Sequence, residues 1–299
     1  MKIKQILRFI IYRFPLNQPV FYVLRKIFIP SESLRNHLRF IGKFKVKTAD
    51  GKQFYLHNNA FKLESDFFWL GFEKVDWEPR TRKIWEELCK SSSTILDIGA
   101  NTGIFSVLAK VYNPKAKVFS FEPQPNIFSV LKKSVEVNNF DTQCENIALS
   151  NQNGQMKFYN YGPLAFEGNT TAGSLNMNFR PDDQKSIVVE VRQLSDYITE
   201  KKIAQIDLIK IDVETHEYEV LLGYGPSLLQ HEPVFIIELQ NETIGKNIET
   251  LVTPDRYLYY SIDEKKGLVQ IQKLGIEKDN HNYLLCPKSK LKKIENILS

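Results

Sequence analysis

The stretch Ile95–Phe105, which reads ILDIGANTGIF, constrains the fold of this 299-residue chain more than any other. It begins within a short apolar run, Thr94–Ile98, of the kind that forms a buried strand. The run stops at a glycine-containing bend, Gly99–Gly103, and apolar residues then resume at helical spacing from Ile104. The pattern predicts a strand, a glycine turn and a helix, in that order.

A bend of this kind lets the backbone come close to a ligand, because glycine has no Cβ. We also expect free N–H groups at the start of the following helix, which would favour an anionic group. The next apolar run, Lys117–Phe121, is followed by Glu122, and an acid at that point can accept hydrogen bonds from ribose hydroxyls. Together the two signals predict a nucleotide-like cofactor.

The bend departs from the dinucleotide fingerprint, since it reads G-x-N-x-G and follows an acid, Asp97. This form favours S-adenosylmethionine over NAD, with Asp97 facing the cationic amino group of the methionine part. We expect Asn146 and Ala148 to flank the adenine. The predicted cofactor-binding residues are Asp97, Gly99, Ala100, Asn101, Gly103, Glu122, Pro123, Asn146 and Ala148. The alternative is a strand-to-helix turn that binds nothing.

Five motifs, in this order, resemble those of the FkbM-type methyltransferases. They are Asp97–Gly103 (DIGANTG), Phe121–Pro123 (FEP), Asn146–Ser150 (NIALS), Lys210–Glu214 (KIDVE) and Ile237–Glu238 (IE). The resemblance covers roughly residues 54–287. It implies a class I methyltransferase fold, which is a Rossmann-like, doubly wound and mostly parallel α/β sheet of seven strands. It also implies methyl transfer to a hydroxyl of a sugar or a polyketide.

One position departs from the family pattern. The family usually has glycine after the KID-x-E motif, whereas this chain has Thr215. A side chain there is expected to leave the backbone less free to approach a ligand. The departure favours an alternative function, a non-catalytic membrane or glycan-binding protein on an inherited methyltransferase scaffold.

Acidic residues follow several of the predicted strands. Asp212 and Glu214 follow the apolar run Ile206–Ile211, and Glu238 follows Val234–Ile237. The ligand crevice of an open α/β sheet lies at the carboxyl ends of its strands, so we expect Asp97, Glu122, Asp212 and Glu238 to converge there. The predicted catalytic residues are Asp212, Glu214 and His216, because a carboxylate or a histidine can take the proton of an acceptor hydroxyl.

A metal ion is the alternative role for the acids. Asp212, Glu214 and Glu238 could hold Mg²⁺, since hard cations prefer oxygen ligands. Acids at strand ends also serve as helix caps and cofactor contacts. We therefore predict no metal ligand.

Composition and missing motifs exclude several classes of protein. The three cysteines are far apart and lack metal-site spacing, which agrees with a reducing compartment and predicts a cytoplasmic protein. The chain has no nucleotide-triphosphate loop, no HExxH zinc motif and no G-x-S-x-G elbow. It also lacks the motifs of DNA methylases, so DNA is not an expected partner. The expected partner is a small-molecule or glycan acceptor.

Charge is unevenly distributed along the chain. Met1–Lys47 contains eleven Lys and Arg residues and one acid, Glu32, for a net charge of 11 − 1 = +10, while the whole chain has +5. Met1–Phe14 also has the spacing of an amphipathic basic helix, too charged to span a bilayer. Residues 1–28 therefore predict either peripheral contact with an anionic membrane or a helix packed on the catalytic domain. The basic segment also leaves an RNA methyltransferase as a further alternative.

The chain divides into four predicted parts. They are a basic helical segment at 1–42, a hairpin and lead-in helix at 43–90, the methyltransferase domain at 91–287 and a basic C-terminal helix at 288–299. Within the domain, Cys144–Leu149 is the predicted third strand, and Gly162–Pro181 is an irregular insertion, either a lid or a surface loop. The aromatic residues of Glu64–Phe72 are expected in the core.

Overall fold

The computed structural model describes residues 12–14, 16–159, 173–179, 185–275 and 280–298. The predicted helix Met1–Phe14 lies almost wholly outside these residues, as does most of the insertion Gly162–Pro181. Among the described residues, none of the helices is both long and apolar enough to cross a bilayer.

The helices and strands alternate over most of the described chain. The α-helices are α1 (Asn17–Leu24), α2 (Glu32–Arg35), α3 (Lys62–Leu70), α4 (Pro79–Lys90), α5 (Ile104–Tyr112), α6 (Pro125–Glu136), α7 (Leu194–Lys201), α8 (Glu217–Tyr224), α9 (Ser227–His231), α10 (Glu242–Ile248) and α11 (Glu295–Leu298). The strands are β1 (Ile41–Lys47), β2 (Gln53–Asn59), β3 (Thr94–Ile98), β4 (Lys117–Phe121), β5 (Gln143–Glu145), β6 (Ala148–Leu149), β7 (Gly154–Tyr159), β8 (Ser186–Arg192), β9 (Leu208–Ile211), β10 (Val234–Glu238), β11 (Tyr257–Asp263), β12 (Gly267–Ile271) and β13 (Asn282–Pro287).

A central sheet organises the molecule, with strand order β12-β11-β13-β10-β9-β3-β4-β5. The pairings from β5 to β10 are parallel, and β13, β11 and β12 add antiparallel pairings at the other side. The predicted doubly wound, mostly parallel α/β fold of class I methyltransferases is confirmed. The sheet has eight strands rather than seven, because the β11–β12 hairpin supplies an additional edge strand.

Two apolar layers cover the faces of this sheet. Strand β3 is buried along its whole length, and Ile95 packs into the layer of Trp85 while Leu96 packs into the layer of Tyr197. A strand buried on both faces needs a continuous apolar run, which is the pattern the sequence has here. The carboxyl ends of β4, β3, β9 and β10 therefore form one edge, supported from both sides.

The predicted hairpin is confirmed as β1 and β2, which pair antiparallel. The aromatic residues of α3 and the turn after it are buried in the same layer as Trp85, as expected: Phe67, Phe68, Trp69 and Phe72. The hairpin, α3 and one face of the central sheet thus share a core.

The predicted third strand is wrong as a single element. It is split into β5, which joins the central sheet, and β6, which pairs with β8 in a three-stranded sheet of order β6-β8-β7. Between them, the Asn146 side chain donates hydrogen bonds to the carbonyl oxygens of Glu122 and Pro123, at 2.8 and 3.1 Å. These contacts turn the chain away from the first sheet.

The predicted C-terminal helix is also wrong as a continuous element. The chain forms a 3₁₀ segment, Lys288–Lys293, followed by the short helix α11. Lys290 has non-helical backbone angles, and its Nζ donates to the carbonyl oxygens of His231 and Glu232 at 2.9 and 2.6 Å. The hydrogen bonds of Lys290 to the end of α9 therefore accompany a break in the predicted helix.

Asn138 connects the hairpin to α6 and should contribute measurably to stability. Its Oδ1 accepts from the Tyr55 N–H, and its Nδ2 donates to the carbonyl oxygens of Tyr55 and Ser134, all at 2.7 Å. We expect Asn138→Ala to lower the free energy of unfolding by about 1–3 kcal/mol, because Tyr55 is left without a partner. Urea denaturation measures this. The control is Lys132→Ala on the exposed face of α6, and an equal loss in both variants would contradict the prediction.

Candidate active site

The bend after β3 is tied directly to the end of β4. The N–H groups of Gly99 and Ala100 donate to the Phe121 carbonyl oxygen at 3.0 and 2.9 Å. The Asn101 N–H donates to Glu122 Oε2 at 3.0 Å, and the two remaining N–H groups of 99–103 bond within the bend. All five N–H groups of the bend therefore have partners, so the bend itself offers no free N–H group to an anion, and the expectation of free donors applies only to the helix that begins at Ile104.

Packing explains both glycines of the bend. Gly99 has φ +80°, and a Cβ there would lie 1.8 Å from the Asp212 carbonyl oxygen. Gly103 has φ +90°, and its Cβ would lie 2.5 Å from Leu131 Cδ1 on α6. The first glycine lets the ends of β3 and β9 meet, and the second lets α6 close on the bend.

Three acids converge at the ends of β9 and β10. One carboxylate oxygen from each of Asp212, Glu214 and Glu238 lies within 4.8 Å of the others. Beside them, Lys210 Nζ lies 2.7 Å from Asp212 Oδ2 and 4.6 Å from the centre of the Phe105 ring. The predicted convergence therefore occurs for Asp212 and Glu238, which Glu214 joins, whereas Asp97 and Glu122 are not part of this group. We call Asp212, Glu214 and Glu238 the rim acids.

The rim acids differ in charge state. Burial opposes ionisation of Asp212, but the Lys210 charge and hydrogen bonds from Glu238 and Lys210 outweigh it and lower the Asp212 pKa. The Asp212 charge, together with burial, raises the pKa of Glu238 to about 11. Glu238 is therefore protonated at neutral pH and donates to an ionised Asp212. The pair shares one proton.

The loop after β9 has left-handed backbone at two non-glycine residues, Glu214 (φ +56°) and Thr215 (φ +78°). A β-branched residue rarely adopts such a φ, which explains why glycine suits this position. Here Asn176 Nδ2 donates to Thr215 Oγ1 at 3.0 Å, and Ser174 Oγ donates to the Glu214 carbonyl oxygen. The described part of the insertion, residues 173–179, thus packs on the loop and supports it. Gln240 donates to the Glu214 carboxylate.

His216 is buried and has partners. Its Nε2 lies 2.9 Å from Ser150 Oγ, and its Nδ1 lies 3.7 Å from the Glu219 carboxylate. Burial lowers the pKa of His216, while the Glu219 charge acts in the opposite direction. A neutral imidazole held by Ser150 orients the loop after β9.

A cavity of about 710 Å³ opens over the sheet edge, within the size range of small-molecule sites. The predicted catalytic residues line it, and so do six of the predicted cofactor-binding residues: Gly99, Ala100, Asn101, Glu122, Pro123 and Ala148. Asp97, Gly103 and Asn146 are not part of its wall.

Asp97 is buried and does not line the cavity. Its Oδ2 accepts a hydrogen bond from Ser106 Oγ of α5 at 2.5 Å. Burial raises the pKa of Asp97. Asn146 supports the wall through its hydrogen bonds to the backbone of Glu122 and Pro123. These residues shape the cavity from behind.

The wall also contains residues outside the predicted set, among them Glu64 of α3 and Glu78 before α4. Each of these two has a buried carboxylate oxygen with no hydrogen-bond partner among the described residues, Glu64 Oε1 and Glu78 Oε2. Burial raises the pKa of both carboxyl groups, to about 7 for Glu78. Glu64 begins the aromatic-rich segment Glu64–Phe72, and an acid beside residues expected in the core is the sequence signal that could have revealed it.

The donor set fits a cationic organic ligand better than a metal ion. Acidic oxygens without partners among the described residues suit the cationic groups of S-adenosylmethionine. Glu122 Oε2 accepts from the Asn101 N–H of the bend, and Oε1 accepts from the Gln124 N–H at the start of α6. The rim acids could each offer one oxygen to a metal. However, Lys210 already neutralises Asp212, and Glu238 keeps its proton, which reduces the charge available to a divalent ion.

Comparisons with known proteins agree with this geometry. The 31-O-demethyl-FK506 methyltransferase FkbM of Streptomyces tacrolimicus is 31% identical over 156 residues, which is 45% of this chain and 60% of that protein. The 2-O-methyltransferase NoeI of Sinorhizobium fredii is 31% identical over 153 residues, 48% of this chain and 61% of that protein. The hexuronic acid methyltransferase AglP of Haloferax volcanii is 24% identical over 196 residues, 64% of this chain and 71% of that protein.

The match to the first two relatives thus spans about 60% of their length. A family model for the methyltransferase FkbM domain matches residues 97–262, which is more than half of the 299 residues. That range begins at the acid before the bend and includes Glu122 and all three rim acids. The chain belongs to the FkbM methyltransferase family.

Proposed function

We propose that this protein is an S-adenosylmethionine-dependent O-methyltransferase that acts on a hydroxyl of a sugar or glycan. One observation carries the proposal: a single cavity has the bend and Glu122 on one side and the rim acids on the other. The names of three relatives support an oxygen acceptor: a 31-O-demethyl-FK506 methyltransferase, a 2-O-methyltransferase and a hexuronic acid methyltransferase. A polyketide hydroxyl is the alternative acceptor, as in the first of these names.

The bend indicates which end of the cavity would bind the cofactor. Gly99, Ala100 and Asn101 border it, and Glu122 would accept hydrogen bonds from ribose hydroxyls. Ala148 gives an apolar surface for a base. Glu64, with its unpartnered oxygen, would face a cationic group. When bound, the cofactor supplies an activated methyl group and its leaving group, so the protein mainly aligns the acceptor and excludes water.

The acceptor end lies at the rim acids. Asp212 is ionised, and its negative charge would stabilise the positive charge that develops on the acceptor oxygen, while its carboxylate could accept a hydrogen bond from a neighbouring hydroxyl of the sugar. Trp77 lines the same cavity and packs against Phe105 at 5.6 Å between ring centres. An aromatic side chain beside several carboxylates suits a ring that carries both C–H and O–H groups, which is the chemistry of a sugar.

Cofactor binding can be tested without knowing the acceptor. We expect the wild type to bind S-adenosylhomocysteine, and Glu122→Gln to bind it at least about tenfold more weakly. The substitution removes one acceptor oxygen, so a ribose hydroxyl or the N–H of Asn101 or Gln124 loses its partner, which costs about 1–3 kcal/mol. Isothermal titration calorimetry measures both affinities. Glu136→Gln, at an exposed position on α6, is the matched control and should bind normally. Lack of binding by the wild type would refute the proposed function.

Methyl transfer requires an acceptor, so we suggest a panel of hexoses, deoxyhexoses, hexuronic acids and polyketide alcohols with isotope-labelled S-adenosylmethionine. Mass spectrometry detects the methylated product. We expect Asp212→Asn to reduce turnover by at least about 10²-fold, because the lost negative charge acts where charge develops in the transition state. Binding of S-adenosylhomocysteine should stay nearly intact. Glu190→Gln, exposed on β8, should be fully active.

The non-catalytic alternative makes a different prediction in the same experiment. It requires cofactor binding without turnover on any member of the panel. Thr215 motivated this alternative, but Asn176 and Ser174 accommodate the left-handed loop, and the rim acids still converge. These contacts favour the enzyme.

We also propose that the protein contacts an anionic membrane surface from the cytoplasmic side. Helix α1 buries Phe21, which packs against Trp69 at 5.3 Å between ring centres. Large apolar residues of the helix and of the chain before and after it are exposed, and are here called the apolar patch: Phe14, Leu16, Val20, Val23, Ile27, Phe28, Ile29 and Leu34. An apolar patch of this size needs a partner.

Charge favours lipid as that partner. The segment 1–47 has a net charge of +10, and Arg13 and Lys26 are exposed within the patch region. Glu32 and Arg35, on either side of Leu34 in sequence, line the cavity. Contact with anionic lipid would bring this part of the cavity close to the membrane, where an acceptor carried on a lipid could enter.

Vesicle sedimentation tests the membrane contact. We expect the wild type to sediment with phosphatidylglycerol-containing vesicles, more weakly at high salt, and Val23→Ser/Ile27→Ser to bind at least about tenfold less because buried apolar area is lost. Val188→Ser is the control, since Val188 is 62% exposed on β8 and Val23 is 61% exposed. Equal sedimentation of the double variant would refute the contact. A dimer that the same substitutions dissociate would point to a second copy of the chain as the partner.

A further inference from the structure

Glu78 has an unusual position beside the rim acids. It directly precedes α4, and its backbone is left-handed, at φ +46° and ψ +46°. This conformation is uncommon for a residue with a side chain, and Pro79 restricts it further. Strained residues of this kind persist where the surrounding structure holds them, and they cluster at functional sites.

The side chain of Glu78 has no structural task in its own helix. Glu78 occupies the N-cap position of α4 but makes no side-chain cap hydrogen bond. Glu264 serves that end of the helix instead, accepting from the Arg80 N–H at 2.6 Å and from Thr81 Oγ1 at 2.7 Å. The neighbouring cation, Arg82, donates through Nη1 and Nη2 to two backbone carbonyl oxygens. The Glu78 carboxylate is thereby left to the cavity, which it lines.

The rim acids and His216 cannot easily take a further proton near neutral pH. Asp212 is held ionised by Lys210 and by the proton of Glu238. Glu238 already carries that proton, Glu214 is engaged by Gln240, and His216 is engaged by Ser150. Among the described residues, Glu78 Oε2 has no hydrogen-bond partner. Glu64 also has an unpartnered oxygen, but its carboxyl group hydrogen-bonds Thr102 of the bend, whereas Glu78 lies within electrostatic range of Asp212 and Lys210 at the acceptor end.

We propose that Glu78 is the general base that accepts the proton of the acceptor hydroxyl. The inference rests on the proposed methyl transfer. In that step the acceptor oxygen forms the new C–O bond, the C–S bond of the sulfonium breaks with its electron pair remaining on sulfur, and the hydroxyl proton passes to the Glu78 carboxylate. The protonated carboxyl then returns its proton to solvent after the products leave.

The charges around Glu78 match this role. Burial raises the pKa of Glu78 to about 7; the negative charges of Asp212 and Glu264 act in the same direction, and the positive charges of Lys210 and Arg82 oppose them. Glu238 also lies within electrostatic range. A base is most effective when its pKa is near the working pH. Since only the ionised form accepts a proton, activity should fall as pH decreases through about 7.

Glu78→Gln tests the role, because glutamine has the same shape but cannot accept the proton. We expect the rate of methyl transfer to fall by about 10²–10⁴-fold and to lose its inflection near pH 7, with S-adenosylhomocysteine binding within about threefold of the wild type. Glu78→Asp keeps a carboxylate and should retain an inflection at a reduced rate. Glu87→Gln, exposed on α4, is the matched control.

A second measurement needs no acceptor. With carboxyl-labelled ¹³C-glutamate, the resonance missing from Glu78→Gln should titrate near pH 7 in the wild type, and not near 4.5 as an ordinary glutamate does. Titration at the ordinary value, or a normal rate and pH profile in Glu78→Gln, would overturn the inference. Failure of the proposed function would be distinct, because the wild type would then not bind S-adenosylhomocysteine.

Discussion

A protonated lysine buried in the middle of a parallel sheet determines the charge states around the cavity. Lys210 is almost fully shielded from solvent and pairs with Asp212 at 2.7 Å. A buried ammonium is very costly without a partner, so Asp212 remains ionised. That charge in turn keeps a proton on Glu238. The electrostatic pattern of the rim therefore follows from one residue of β9, and the acids cannot be treated as independent carboxylates.

Local sequence patterns were sufficient for most of the sheet. Strands β3 and β4 are found at their predicted bounds, because each is a continuous apolar run ended by a glycine bend or by an acid. The break between β5 and β6 was not predictable in this way. It depends on the Asn146 amide reaching the Glu122 carbonyl oxygen, a contact between residues 24 positions apart, which apolar periodicity does not record.

The candidate site was predicted only where residues lie within the motifs of the sheet edge. Glu64 and Glu78 were missed because α3 and the start of α4 reach the cavity through tertiary packing, and neither residue belongs to a motif. Asp97 was expected to face a ligand, yet Ser106 on α5 binds its carboxylate. Sequence spacing identifies a strand end but does not tell which nearby hydroxyl will form a hydrogen bond with the side chain there.

The protons stored on buried acids have a consequence for ligand exchange. Besides Glu238, burial raises the pKa of Glu122 to about 8, so much of this wall is neutral before a ligand arrives. A sulfonium entering the cavity would favour the ionised forms and expel protons to the buffer, in the manner of an ion exchanger. In the proposed reaction, transfer of the methyl group would remove the positive charge, the acids would regain protons, and the thioether product would be held less tightly. The burial that stores protons would then promote product release.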